Sequence, residues 1–322
     1  MDNADFIIGH ISDLHFSQGT DKTYPDHEHS IEHLRYLERN LCIQDLDLLI
    51  ISGDISNYGD RQSLINASGF IFNKIPVGEE EMIGLSFPPE KVGIVPGNHD
   101  AWNSSKTGAF SERRQKSLEH YNFAFPSHAI NSPEGCYYRW LQNGDKGVYI
   151  AFVDSCFLGG TEKNDGSSFG TIRYDQAVAK GKLSVDQTEK LLEWHDLGIL
   201  GRLTDPSNSD SNIDKEIFAK SLKIIVMHHY LFEPPDHKSD YFMRVHHRDI
   251  VFRNIAFSDF DIMLCGHKHI PSFDTHSYGY HFDGRAKNRY MLNYFRRLIG
   301  LHSLPIQIKD KKVDGGQRRL LF

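Results

Sequence analysis

The chain has 322 residues, 39% hydrophobic and 25% charged, the proportions of an ordinary soluble globular protein with a substantial core. Its net charge of -7, with histidine neutral, argues against a general binder of nucleic acid or anionic membranes. Four widely spaced cysteines, Cys42, Cys136, Cys156 and Cys265, form no CxxC pair, which argues against both a thiolate zinc site and a disulfide framework.

From the N-terminus, Phe6 to Ile11 reads as a buried strand rather than a secretory leader, because no positively charged segment precedes its short apolar run. Ser30 to Cys42 places Ile31, Leu34, Leu37 and Leu41 on one face of a helix. Leu46 to Ile51 and Lys91 to Val95 have the length and β-branched content of buried strands. Tyr137 to Leu141 and Val148 to Val153 flank Asn143-Gly144-Asp145-Lys146, a hairpin signal. Ser184 to Leu197 reads as a helix opened by a capping box of Ser184 and Gln187. Asp205 to Asp214, with Pro206 and several Ser and Asn, reads as a loop. Two further strands are expected at Lys223 to Met227 and Ile262 to Cys265. Past His269 the residues turn aromatic and basic. Strands alternating with helices, plus one hairpin, predict an α/β fold with a mixed sheet. No apolar run approaches the roughly 20 residues that span a bilayer, so a soluble, cytoplasmic protein without membrane contact is expected.

The 19 histidines are the compositional signal, since imidazole is the commonest metal ligand. Several sit just after the apolar runs, with carboxylates. In order these are Asp13-Leu14-His15, Gly53-Asp54, Gly97-Asn98-His99-Asp100, His228, and Gly266-His267-Lys268-His269. In an open α/β sheet, ligands gather at the carboxyl ends of strands, so five loops converge on one expected site. One such fragment is a weak signal, because D-x-H or G-D recurs by chance; five in this order are a strong one. A subset of two aspartates, an asparagine and four histidines from these loops suits Mn, Fe, Zn or similar ions. Two such ions can supply hydroxide at neutral pH and clamp a phosphoryl group. Glycines before Asp54, Asn98 and His267 permit tight turns and close backbone approach.

These blocks resemble the calcineurin-like metallophosphoesterase superfamily, over about Phe6 to His269. The resemblance implies a four-layer α/β/β/α sandwich with two mixed sheets, and two metal ions, Mn and/or Fe with Zn as an option. It implies that Asp13, His15 and His269 hold the first ion, that Asn98, His228 and His267 hold the second, and that Asp54 bridges them. His99 is implied as the acid that protonates the leaving oxygen, with Asp100 orienting its ring. His228 is preferred to His229 because it comes first after its strand. Ile11 to Phe16 and Gly53 to Gly59 look like the branch containing class III cyclic nucleotide phosphodiesterases, and Gly181 to Gln187 is similar to a helix start in that branch. That branch implies a small phosphodiester substrate. Asn57 departs from it, where an acidic residue is frequent, and Tyr230-Leu231 lacks its proline. The catalytic domain is expected at residues 1–275, with 276–322 a C-terminal extension packed on it.

Other features carry two readings each. Asp26 to His29 with His33, and His246-His247-Arg248, either contact substrate or form solvated surface. Trp102 either stacks on a base or packs in the core. The basic tail, including Arg285, Arg289, Arg296, Arg297, Lys311, Lys312, Arg318 and Arg319, either tracks a nucleic-acid backbone or is ordinary surface. The alternatives to a phosphodiesterase are thus a nuclease of the same superfamily and a catalytically inactive interaction module.

Overall fold

The computed structural model describes residues 6–17, 27–42, 45–77, 81–102, 110–128, 135–156, 181–231, 245, 251, 255, 258–267, 272–282, 285–295 and 306–308. In chain order the elements are β1 (Phe6–Ile11), α1 (His27–Cys42), β2 (Leu48–Ser52), α2 (Arg61–Phe72), β3 (Ile75–Val77), β4 (Glu81–Ile83), β5 (Val92–Val95), α3 (Asn98–Trp102), α4 (Phe110–Ala124), β6 (Cys136–Asn143) and β7 (Lys146–Val153). They continue with α5 (Val185–Ile199), β8 (Thr204–Asp205), β9 (Asn208–Asn212), α6 (Lys215–Lys220), β10 (Leu222–Val226), β11 (Ile262–Cys265), β12 (Ser272–Phe282), β13 (Arg285–Phe295) and β14 (Ile306–Ile308).

Two mixed sheets form the centre. The first has the order β14-β1-β2-β5, with β1, β2 and β5 parallel and β14 antiparallel to β1. The second runs β12-β13-β11-β10-β7-β6, parallel from β13 to β7 and antiparallel at both ends. Side-chain alternation along β2 shows how they stack. Leu48 and Ile50 join Phe6, Ile8 and Val95 against Val148, Ile150, Phe152, Ile224 and Leu264 of the other sheet. Leu49 and Ile51 point the opposite way, to Leu34, Leu37 and Leu41 of α1, Leu64 and Phe70 of α2 and Tyr121 of α4. A strand buried on both faces needs an unbroken apolar run, and Leu48-Leu49-Ile50-Ile51 supplies one. The far face of the second sheet is covered by Leu191 and Trp194 of α5 and Phe218 of α6. The layers are therefore helix, sheet, sheet, helix. Each fully buried Ile or Leu here contributes about 1.5–3 kcal/mol, so the sheet interface is a large stabilising contribution.

The hairpin is present, with Asn143 paired to Lys146 and Gly144 at φ 60° in its two-residue turn. The capping box is present as well: Ser184 accepts from Gln187 N–H, and the Gln187 side chain accepts from Ser184 N–H. The segment expected as a loop from Asp205 to Asp214 is corrected: β8 and β9 pair there as a small hairpin. Its turn is stabilised by Asp205 Oδ1, which accepts from both Ser207 N–H and Ser207 Oγ–H. The expected boundary at residues 275 and 276 falls inside β12, and β13 and β14 add to the two sheets. No helix among the described residues is long and apolar enough to cross a membrane.

Candidate metal centre

The parallel strands β1, β2 and β5 of one sheet and β10 and β11 of the other end on a common edge, and each passes directly into one of the predicted loops. Backbone bonds tie these loops together. Asp13 N–H donates to Gly53 O at 3.0 Å and His15 N–H to Asp54 O at 2.9 Å, while Gly266 N–H donates to His228 O at 3.1 Å. Between the sheets, His267 N–H reaches the Asp13 carboxylate at 3.0 and 3.2 Å. Asp13, His15, Asp54 and His267 all have positive φ, between 49° and 77°. Left-handed backbone costs a residue with a Cβ of order 1–3 kcal/mol and clusters at functional sites. Gly53, at φ 92°, leaves room for the His228 ring, because a Cβ there would sit 2.6 Å from Nδ1.

Two groups of donor atoms share Asp54. His15, Asp54 and His99 form one, and Asp54, His228 and His267 the other; within each group the donor atoms lie within 4.8 Å of one another. His228 Nδ1–H donates to Ser52 O at 2.9 Å, which turns Nε2 to the centre. Around that Nε2 stand Asn98 Oδ1 at 2.9 Å, His267 Nδ1 at 3.0 Å and Asp54 Oδ2 at 3.2 Å. His15 Nε2 lies 4.0 Å from the same Asp54 oxygen. Asp13 accepts from Ser12 Oγ as well as from His267. His229 turns its Nδ1 to Ser155 instead. His269 lies outside the described residues, as do His246, His247, Arg248, Asp26, and the side chains of His27, His29, His33, Trp102 and the basic tail.

The family model for calcineurin-like phosphoesterases matches residues 6–271. The chain belongs to that family. Two solved structures are similar to it. One is a 5'-nucleotidase, described as putative, from Staphylococcus aureus in complex with alpha-ketoglutarate: 13% identity, TM-score 0.40, 89% of this chain and 48% of that one. The other is GAP50, the anchor in the inner membrane complex of Plasmodium: 9% identity, TM-score 0.42, 91% of this chain and 71% of that one. The chain thus spans about half the length of the first. No curated protein matches it.

The donors of this family member fit a cation. Nδ1 of His228 is committed to Ser52 O, so a proton on Nε2 would be its only means of serving three acceptor atoms. A cation among the four satisfies them together. Burial works to lower the pKa of His228, but the Asp54 charge and bond outweigh it and push it up to about 9. Burial works to raise the Asp54 carboxyl, yet His228, His99 and His15 hold it well below the usual range. Burial, reinforced by His229 and His228, holds His267 well below the usual imidazole range, so its ring is neutral, as a metal ligand must be.

His99 N–H donates to Asp54 Oδ1 at 2.8 Å, and its ring meets that of His15 edge-on at 4.8 Å. Asp100 requires a correction, because it does not orient that ring. Its Oδ1 accepts from Ser56 N–H at 2.8 Å and Ser56 Oγ–H at 2.9 Å, and its Oδ2 from Gly97 N–H at 2.9 Å and Ile55 N–H at 3.1 Å. The carboxylate stitches the loop after β2 to the loop after β5. Burial, then the charge of Asp54, push its pKa up to about 6 against those donors. The ring of His99 is held by a backbone group, Asn57 O, 2.9 Å from Nδ1. Sequence reasoning missed Ser52 and Asn57 in these roles, since a backbone carbonyl leaves no trace in residue type.

Proposed function

We propose that this chain is a metal-dependent phosphoesterase that hydrolyses a small phosphodiester, such as a cyclic nucleotide. The observation that carries the reading is Asp54, with His15 and His99 on one side of it and His228 and His267 on the other, and with the His99 backbone N–H bonded to its Oδ1. Family membership supports the reaction class, and the Ile11 to Phe16 and Gly53 to Gly59 blocks support the diester.

Asp13, His15, Asp54 and His269 would hold one ion, and Asn98, His228, His267 and Asp54 the other. When bound, a pair such as Mn and Fe would supply Lewis acidity toward phosphoryl oxygens and would lower the pKa of water enough to furnish hydroxide, the nucleophile for phosphorus, at neutral pH. Asp54 keeps its charge at all physiological pH values, so it offers both oxygens without competition from a proton. The bond from His99 Nδ1–H to Asn57 O fixes the tautomer. Donation to the leaving oxygen of the ester therefore needs the imidazolium form of His99, whose second proton sits at Nε2 and whose loss leaves the Nδ1–H tautomer. Asp100 acts on the reaction only through the two loops it joins.

Metal analysis of the purified protein, followed by turnover of a bis-aryl phosphodiester with added manganese, tests the reading. Two ions per chain and chelator-sensitive turnover are expected. A folded protein that binds no metal and turns over no phosphoester would be an interaction module instead.

A further inference from the structure

The loop after β7, residues Asp154-Ser155-Cys156, is a sixth strand end beside the centre, and nothing in the mechanism uses it. We propose that Ser155 and His229 are a positioning pair that holds the ring of His267 in place for the second ion. The inference rests on the metal-centre reading above.

The pair is built from the start of α5. Gln187, the third residue of that helix, closes the capping box with its side-chain oxygen. Its Nε2–H₂ group is used a second time, donating to Asp154 O at 2.9 Å and Gly135 O at 3.2 Å. Lys182 N–H adds a bond to Ser155 O at 2.8 Å. The loop is thereby fixed at its backbone, and the hydroxyl of Ser155 is aimed. That one hydroxyl bonds the same histidine twice: it accepts from His229 N–H at 3.1 Å and lies 2.9 Å from His229 Nδ1. Gly181 closes the other side, where a Cβ would sit 2.5 Å from His229 Cγ, so any larger residue would displace the ring.

The His229 ring is fully buried, which excludes contact with substrate. Its neighbours are the two ligand rings, with centroids 4.5 Å away at His267 and 5.1 Å away at His228. A ring packed at 4.5 Å sets the tilt of its neighbour, and groups that orient ligands typically govern metal affinity by about 10–100-fold. The similarity of Gly181 to Gln187 to a helix start thus has a physical content here, since this segment supplies Gly181, Lys182 and Gln187 to the pair.

The test compares wild type, Ser155→Ala and Ser155→Thr after stripping with chelator. Calorimetry gives the Mn²⁺ dissociation constants, and the visible spectrum of the Co²⁺-loaded protein reports ligand geometry. Ser155→Ala is expected to weaken one of the two Mn²⁺ sites by about 10–100-fold and to shift the Co²⁺ bands, with partial recovery in Ser155→Thr. Wild-type Mn²⁺ affinity and Co²⁺ spectrum in a folded Ser155→Ala would overturn the proposal, whatever its melting temperature. If Ser155→Ala does not fold, His229→Gln decides by the same two readouts, weakened sites supporting the pair and unchanged sites overturning it. Wild-type protein that binds no Mn²⁺ sinks the metal-centre reading itself, which separates the two failures.

Discussion

His228 Nε2 lies 3.2 Å from Asp54 Oδ2, and both side chains are closed to solvent. The two residues come from different sheets, Asp54 after β2 and His228 after β10. Their approach is where the two halves of the centre meet. A buried ion pair recovers its desolvation cost poorly, so this one is better understood as part of a cation-binding donor set than as a net source of stability. Asp54→Ala is expected to lose both ions and to reduce turnover in metal-limited buffer by about 100-fold or more. Metal content of the purified variant and its rate measure this; near-wild-type turnover would remove Asp54 as the bridge.

The same pair predicts a pH dependence for the chelated protein. His228 has its pKa raised from 6.5 to about 9 in the folded state. The stability it contributes is fully present below about 6.5 and is lost as pH rises toward about 9. Asp54 and His267 are shifted the other way, so their contributions change only in more acidic windows. The melting temperature of chelated protein should therefore fall between about pH 6.5 and 9, and His228→Asn should flatten that slope. Equal slopes in the two proteins would show that His228 does not carry the proton.

The convergence of Asp13, His15, Asp54, Asn98, His228 and His267 was legible in the sequence because each follows an apolar run. Leu48 to Ile51 announced a strand buried on both faces, and Gly53-Asp54 could only follow it at the sheet edge. The role of Asp100 was not legible. The family resemblance implies that Asp100 orients the His99 ring, whereas α3 turns the two side chains apart, Asp100 into Ser56 and Gly97 and His99 toward Asn57 O. The start of α2 was also overlooked, although Asp60 caps it by accepting from Ser63 N–H. The β8–β9 hairpin was hidden by its composition, since Asn208 to Asn212 is entirely polar and has no apolar face to give it a period.

Asp100→Ala tests the stitching role. It leaves the N–H groups of Ile55, Ser56 and Gly97 buried without their acceptor. At about 1–3 kcal/mol for each, the cost is at least about 3 kcal/mol in chemical denaturation. The activity loss should be alike for substrates with good and poor leaving groups, because the loops move as a whole. A loss confined to poor leaving groups, with stability unchanged, would return Asp100 to the role of partner to His99.

His99→Ala should behave in the opposite way. The variant is expected to keep its metal and its fold while losing rate on esters with poor leaving groups, by about 10²–10⁴-fold. A nitrophenolate leaves with little protonation, so its loss should be smaller. Rates measured across leaving groups of widely different pKa give the slope. A loss that does not vary with leaving group would show that His99 is not the proton donor.

The substrate is the remaining question, and salt separates the two enzymatic readings. A small diester is expected to be hydrolysed faster than its monoester, with long DNA a poor substrate. The net charge of -7 opposes unspecific polyanion binding, and the blocks around Asp13 and Asp54 resemble a small-diester branch. Against this stand the basic residues near the C-terminus, whose local field could differ in sign from the global charge. If they neutralised several phosphates, log affinity would fall with log salt by roughly 0.7 for each contact on a single strand. A compact diester carries one negative charge at its phosphate and should give a shallow slope. The measurement is kcat/KM for 3′,5′-cyclic AMP, a bis-aryl phosphate, an aryl phosphate and a single-stranded oligonucleotide across a salt series. Oligonucleotide cleavage that dominates at moderate salt, and vanishes when the residues after Lys309 are removed, would replace the small-diester reading with a nuclease.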